Sequence, residues 1–443
     1  MSDDVLKKTA TDLGRMIDAG SISPLELTQT YLNAIDAHPL TNRIYARITP
    51  DRALAEASAA TDRAMQGTRN GPLDGVPISW KDLFDTAGTG TEAGSAFLKG
   101  HVPDVDAEVL KNATHAGLIC LGKTHMSELA FSGLGLNPVT ETPPCVNDLD
   151  AIAGGSSSGA AASVAFDLAA IGIGSDTGGS VRIPAAWNDL VGLKTTSGLL
   201  SLKGVVPLCY KFDTVGPLCR SVEDAANIFA ALAGASPLHM KNAGLKGKRF
   251  AVCTTLALDT MDEDVARAFD ESIQMIKDAG ASVEELEIPE VPPAMSLAGC
   301  LFTTEAYAQW QTEIEATPDL MYPEIRDRFM IGKNYTGYEY IQACKQLDHL
   351  RAEYLKRTAV YDAVLMPSSP TLPPNIKRLE EDGEYYIRKN LLALRNTRIG
   401  NLMGLCSLTL PTKHASCGLM VNCDPLQESK LLVLGSEIEA ILA

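Results

Sequence analysis

Ser180 closes a run, Gly174-Ser175-Asp176-Thr177-Gly178-Gly179-Ser180-Val181-Arg182-Ile183-Pro184, whose residue types suit acyl chemistry. Two adjacent glycines permit a tight turn and close approach of a ligand to the backbone. Successive N–H groups from Thr177 through Gly178 and Gly179 to Ser180 can then converge as an oxyanion hole with a hydroxyl beside it. The same residues also suit an ordinary turn with a capping serine, and on local grounds that reading is the stronger. A second run, Gly154-Gly155-Ser156-Ser157-Ser158-Gly159, contains the pattern G-x-S-x-G at Ser157. That elbow requires a preceding apolar strand and a later Asp and His. Residues 147–153 make a poor strand, and none of the following histidines, His239, His349 and His414, has a setting that marks it as a base. A third motif, Gly117-Leu118-Ile119-Cys120-Leu121-Gly122-Lys123-Thr124, matches the phosphate-binding pattern G-x-x-x-x-G-K-[ST]. Its four variable positions hold Leu, Ile, Cys and Leu, which belong in a buried strand and not in a phosphate-cradling loop. A strand ending in a Gly-Lys-Thr turn is expected there, and a nucleotide site through Lys123 is the less favoured alternative.

The elements around these runs predict a layered α/β protein. Residues 5–67 read as helices: Ser23-Pro24-Leu25-Glu26 is a cap with proline at the first helical position, followed by Leu27, Tyr31, Leu32 and Ile35 at helical spacing. Ala-rich 52–66 predicts another helix, and the alternation of 44–48 predicts a strand between them. From Gly71 onward, short apolar runs at 76–80, 117–121, 168–173 and 191–193 alternate with helical stretches at 107–116, 159–167 and 221–232. A Gly- and Lys-rich connection, 234–248, leads to a strand at 249–254, a helix at 263–279, a strand at 282–288, a helical block at 300–361 and a strand at 363–366.

Together the Gly- and Ser-rich runs resemble the amidase signature family. The family's G-G-S-S-G-G pattern falls on residues 154–159, and G-[ST]-D-x-G-G-S-[IV]-R-x-P is matched in full from Gly174 to Pro184. Ser156 and Ser180 stand 24 positions apart, as the family requires. The lysine motif G-x-P-x-x-x-K-D is present as Gly75-Val76-Pro77-Ile78-Ser79-Trp80-Lys81-Asp82. Similar texture at 122–129, 213–218 and 367–370 extends the likeness over most of the chain, strongest from 71 to 220. The resemblance implies an α/β fold with a central mixed β-sheet flanked by helices on both faces. It implies one domain over 1–443, comprising a helical segment (1–70), a catalytic core (71–235), a more variable lobe (236–365) and a C-terminal return to the core (366–443). It further implies a Ser–cisSer–Lys triad: Ser180 as nucleophile, Ser156 as proton relay and Lys81 as general base. The backbone of Thr177, Gly178, Gly179 and Ser180 would be the oxyanion hole. The implied activity is hydrolysis of the C–N bond of a small carboxamide through a seryl acyl-enzyme, with release of ammonia or an amine. Ser158 replaces the family's usual Gly, and Tyr210-Lys211-Phe212 replaces the usual Ser-Leu ahead of Asp213-Thr214; these departures bear on substrate choice.

The chemistry explains why the residue types matter. A serine hydroxyl is a poor nucleophile until a base removes its proton, and no His lies near these motifs. Lysine serves only when neutral; its ordinary pKa is about 10.4, and full burial depresses it by roughly 3–5 units. Lys81 follows Val76–Trp80 and precedes Leu83-Phe84, an apolar setting suited to that shift. Asp176 and Arg182 flank the nucleophile with opposite charges and read as an ion pair anchoring the loop. Ser157 reads as a local hydrogen-bonding residue. By resemblance alone, Met126, Ser127, Phe131, Tyr210, Lys211 and the helices of 300–340 are the expected pocket walls.

Composition narrows the remaining classes. A net charge of −17 without clustered Lys or Arg argues against direct nucleic-acid binding. Ten scattered cysteines without C-x-x-C pairs fit neither a disulfide framework nor structural zinc, and no metal or other cofactor is expected. The N-terminal stretch MSDDVLKKTATDL is unlike a secretory signal, and the most apolar stretch, 163–174, is too short to span a bilayer, so a cytoplasmic protein with no membrane contact is expected. Expected partners are the amide substrate and a second copy of the chain in a homodimer. The main alternative is the glutaminase (A-type) subunit of a tRNA-dependent amidotransferase, which shares the triad.

Overall fold

Short apolar runs pair edge to edge because a strand buried on both faces needs neighbours for its backbone N–H and C=O groups. The computed structural model describes residues 3–238, 240 and 244–442. Its strands are β1 (Tyr45–Ile48), β2 (Pro77–Lys81), β3 (Ile119–Thr124), β4 (Pro144–Cys145), β5 (Asp148–Ile152), β6 (Ile171–Ser175), β7 (Val191–Lys194), β8 (Val215–Cys219), β9 (Arg249–Cys253), β10 (Ser282–Leu286), β11 (Ala363–Pro367), β12 (Cys406–Pro411) and β13 (Gly418–Cys423). Eleven of them form one mixed sheet in the order β1-β3-β2-β6-β8-β7-β12-β13-β11-β9-β10. β2 is buried at every position and runs parallel to both β3 and β6. β6, β8, β7, β12 and β13 then continue antiparallel. The sheet is flanked by helices, among them Ser158–Ala165, Arg182–Trp187, Val222–Ala233 and Glu428–Leu442.

The expected α/β architecture with a central mixed sheet is the one observed. Ser23 caps the helix Pro24–Ala37 with a reciprocal pair: Glu26 N–H donates to Ser23 Oγ (3.2 Å) and Ser23 N–H donates to Glu26 Oε2 (3.1 Å). Beyond the connection 234–248, β9, β10 and β11 do not build a separate sheet but join the first through β13 and β12. Residues 239 and 241–243 of that connection, His239 included, lie outside the described residues.

Two local expectations need correction. Gly122, Lys123 and Thr124 are not a turn; they continue β3, opposite Ser79, Trp80 and Lys81 of β2. The Lys123 ammonium is buried 3.3 Å from Asp82 Oδ1 and donates to Thr91 Oγ1 at 3.0 Å, so it balances an internal carboxylate and no phosphate-cradling loop exists. Residues 148–152 do form a strand, but β4 and β5 are a small hairpin outside the main sheet. Among the described residues no helix is long and apolar enough to cross a membrane.

Candidate active site

Parallel neighbours end together, so the carboxyl ends of β2 and β6 deliver Lys81 and Ser175 to the same place. The Lys81 side chain is fully buried, and its Nζ lies 2.7 Å from Ser156 Oγ, 2.8 Å from Ser175 Oγ and 3.1 Å from Ser157 Oγ. Ser156 follows a cis Gly155–Ser156 peptide, and Ser157 precedes the helix Ser158–Ala165. The loops are tied by backbone bonds: Ser127 N–H donates to the Ser156 carbonyl and Ser157 N–H to the Ser180 carbonyl, each at 3.2 Å. Burial pushes the Lys81 pKa down to about 7, while the more distant Asp176 and Asp213 pull it upward. Ser157 does more than bond locally, since its hydroxyl is one wall of the lysine's cage and also donates to the Ser175 carbonyl at 3.2 Å.

The turn after β6 carries Ser180 and is pinned from beneath. Asp176 accepts hydrogen bonds from Gly179 N–H (2.9 Å), Val181 N–H (3.2 Å), Arg182 Nε (3.0 Å), Arg182 Nη2 (2.9 Å) and Asn401 Nδ2 (3.0 Å). Burial works to raise this carboxyl's pKa, but Arg182 and Asn401 hold it well below the usual carboxylate range. Arg182 also donates from Nη1 to the Thr397 carbonyl at 2.8 Å. Asp176 and Arg182 therefore form the expected ion pair, buried at both ends. Removing one partner of such a pair strands a buried charge, typically at a cost of about 3–5 kcal/mol. Arg182→Met should accordingly lower the urea midpoint by an amount equivalent to about 3 kcal/mol or more. An unchanged midpoint would show that the pair does not hold the turn.

The geometry revises the oxyanion-hole expectation at one position. Gly179 N–H is already committed to Asp176, so it is not a free donor. Gly179 instead serves shape: its φ of +139° is open to glycine, and a Cβ there would stand 2.2 Å from Thr397 Oγ1. The N–H groups of Thr177, Gly178 and Ser180 donate to no acceptor among the described residues. The Thr177 hydroxyl is turned away, donating to Asp213 Oδ1 at 2.5 Å. Burial raises the Asp213 carboxyl to about 6 even though Thr177 and the N–H groups of Leu208 and Cys209 support its charge.

Ser180, Thr177 and Gly178 line a narrow crevice with Phe131, Arg328 and Arg398. The crevice shares Phe302, Arg328 and Arg398 with a cavity of about 570 Å³ whose walls are mainly apolar. Of the expected pocket residues, only Phe131 lines this space. Met126 and Ser127 are fully buried, Tyr210 is 61% exposed and the Lys211 N–H donates to Glu305 Oε2; none of the four lines the crevice or the cavity. From the 300–340 segment, Phe302 and Arg328 line the cavity. Ser175, Asn401, Thr397, Arg328 and Arg398 join the site only in the fold. Only Ser175 carried a signal, as the Ser/Thr position of the G-[ST]-D motif.

A buried lysine caged by serine hydroxyls thus lies beside a Gly-Gly-Ser turn on a mixed α/β sheet. Residues 26–432 match the sequence profile of the family described as Amidase, and the chain belongs to that family. Among its relatives, 2-amino-5-chloromuconic acid deaminase of Comamonas testosteroni is 34% identical over 417 residues, covering 90% of this chain and 89% of the relative. The A-type subunit of the glutamyl-tRNA(Gln) amidotransferase of Geobacter sp. (strain M21) is 29% identical over 480 residues, covering 98% and 97%. The crystal structure of the peptide amidase from Stenotrophomonas maltophilia superposes with a TM-score of 0.84 at 26% identity, covering 98% of this chain and 97% of that one. The protein is an amidase.

Proposed function

We propose that Ser180 is the nucleophile of this amidase, Ser156 its proton relay and Lys81 its general base. The observation that carries this reading is the Lys81 amine, buried among three serine hydroxyls with its pKa brought to about 7. A neutral amine has two N–H groups and one lone pair, so one of the three hydroxyls must donate to it. The Ser157 hydroxyl proton points to the Ser175 carbonyl. Ser156 Oγ, at 2.7 Å the shortest contact, accepts from Lys81 Nζ, and beside the neutral amine its hydroxyl turns to donate on the path to Ser180.

The relay requires Ser180 Oγ to close on Ser156 Oγ as the substrate binds, in keeping with catalytic contacts that tighten in the reacting complex. Ser180 Oγ attacks the amide carbon; its proton passes to Ser156 as the Ser156 proton passes to Lys81. The tetrahedral oxyanion is received by the N–H groups of Thr177, Gly178 and Ser180, each such donor typically contributing about 3 kcal/mol. Return of the proton through Ser156 to the leaving nitrogen expels ammonia or an amine and leaves an ester on Ser180. Water, activated by the same relay, releases the acid. The test is ammonia release across aliphatic, aryl, dicarboxylic monoamide and ureido substrates. Labelling by a fluorophosphonate at Ser180, located by peptide mass spectrometry, accompanies it. Labelling elsewhere, with ammonia release unaffected by blocking Ser180, would reject the assignment.

A second reading is favoured by the amidotransferase relatives, which match nearly the whole chain. As a glutaminase subunit the protein would use the same serine on glutamine and would need partner subunits to reach tRNA. Partners copurifying with the native protein, and glutaminase activity dependent on them, would decide for it.

A further inference from the structure

Arg328 and Arg398 reach the crevice beside Ser180 from two helices, Pro323–Met330 and Arg395–Leu402. Arg328 is held in place: Nη1 donates to the Phe131 carbonyl at 2.7 Å, and the guanidinium lies 4.2 Å over the Phe131 ring. Arg398 runs along the turn that carries the nucleophile, and a Cβ on Gly178 would sit 3.7 Å from its Cγ. Among the described residues the Arg398 guanidinium donates no hydrogen bond within the protein, and neither arginine has a carboxylate within ion-pair distance. Burial lowers Arg398 to about 9, with the Arg328 charge acting in the same direction, and burial lowers Arg328 to about 10. Two cations are thus gathered in a chain of net charge −17 and given no anion of their own. Partly desolvated charges without a counter-charge are costly to hold, and a ligand anion relieves that cost. Glu324 and Asp327 line only the outer cavity, so the inner end beside Ser180 is the positive one.

We propose that Arg328 and Arg398 together bind a carboxylate of the substrate, making this amidase selective for short amides that carry a carboxylate, such as monoamides of dicarboxylic acids. The proposal rests on the amidase reading of Ser180. A planar guanidinium pairs with a carboxylate through two parallel hydrogen bonds, and a second guanidinium in the same crevice fixes its orientation. Because both arginines line the crevice that Ser180 lines, the carboxylate stands only a few bonds from the amide carbon.

The test compares kcat/KM for succinamate and glutaramate with that for the matching uncharged diamides, in wild type, Arg398→Leu and Arg328→Leu. Wild type should favour the acid monoamides by about tenfold or more, and Arg398→Leu should lower kcat/KM on them by about 100-fold, mainly through KM, while changing the diamides by no more than about threefold. Arg398→Lys should recover only part of the loss. Calorimetry with succinate and glutarate on Ser180→Ala gives a reading independent of turnover: binding is expected, and Arg398→Leu in that background should abolish it. Equal loss on charged and uncharged substrates, or no dicarboxylate binding, overturns the carboxylate site. Dicarboxylate binding that depends on the arginines, without any Ser180-dependent hydrolysis, would keep the carboxylate site and overturn the catalytic reading instead.

Discussion

Ser180→Ala should lower kcat/KM for the best amide substrate by at least about 10⁴-fold, because on the proposed assignment it removes the nucleophile, and that costs nearly as much as removing the whole relay. The variant should fold normally. The Ser180 hydroxyl makes no hydrogen bond within the protein among the described residues, so its loss leaves no stranded partner. The turn's shape depends instead on Asp176, Arg182 and Gly179, which the substitution leaves untouched. Thermal melting within about 1 °C of wild type, with ammonia release at background and no adduct from a fluorophosphonate, is the expected combination. Substantial residual turnover would mean that Ser156, the other hydroxyl on the path, can attack by itself. Ser156→Ala separates these cases, since a pure relay loses rate but still leaves Ser180 able to be labelled slowly.

The family motifs were legible in the chain, and the walls of the pocket were not. On their own residues Lys81 and Ser180 admit ordinary structural readings; the resemblance to the amidase signature family singles them out with Ser156, and the structure places Lys81 Nζ 2.7 Å from Ser156 Oγ. The strand β8 was not legible, because Gly216 and Pro217 occupy its middle, and proline in a central strand argues against one. It forms nonetheless: Pro217 lies opposite Ile173, and Gly216 lets Leu193 O come within 1.9 Å of where a Cβ would stand, so only glycine fits. The Gly179 N–H could not have been subtracted from the oxyanion hole by reading residues, since that depends on which way one peptide faces. Arg398 and Asn401 lie some two hundred positions downstream, on a helix with no motif to mark it, and only the fold brings them to the turn. Tyr210 and Lys211 show the converse: they stand near a family motif in sequence yet line neither the crevice nor the cavity.

Lys81→Met should lower kcat/KM by about 10²–10⁴-fold near neutral pH, the range expected for loss of a positioned base. The pH profile of the wild type is the sharper test. Only the amine form can accept a proton, and burial sets its pKa at about 7. Below that value kcat/KM should fall about tenfold per pH unit, and above it the rate should level off. Asp213, raised to about 6, and Glu128 and Glu439, both raised to about 7 by burial, titrate in the same pH range. Of these, Asp213 holds the Thr177 side chain, so Asp213→Asn is the control that must leave the inflection near 7 in place. Stability gives an independent reading with a fixed sign. A lysine whose folded pKa lies below its unfolded value of about 10.4 binds fewer protons when folded, so stability should rise with pH between about 7 and 10. Lys194, lowered to about 8 by burial, adds to the same rise, so Lys81→Met should reduce its slope without abolishing it. The raised carboxyls act in the other direction and lower on the scale, since their contribution is lost as pH climbs through about 4 to 7. A wild-type kcat/KM that stays flat down to pH 5, or a stability slope unaltered in Lys81→Met, would show that Lys81 is not the group titrating in the site.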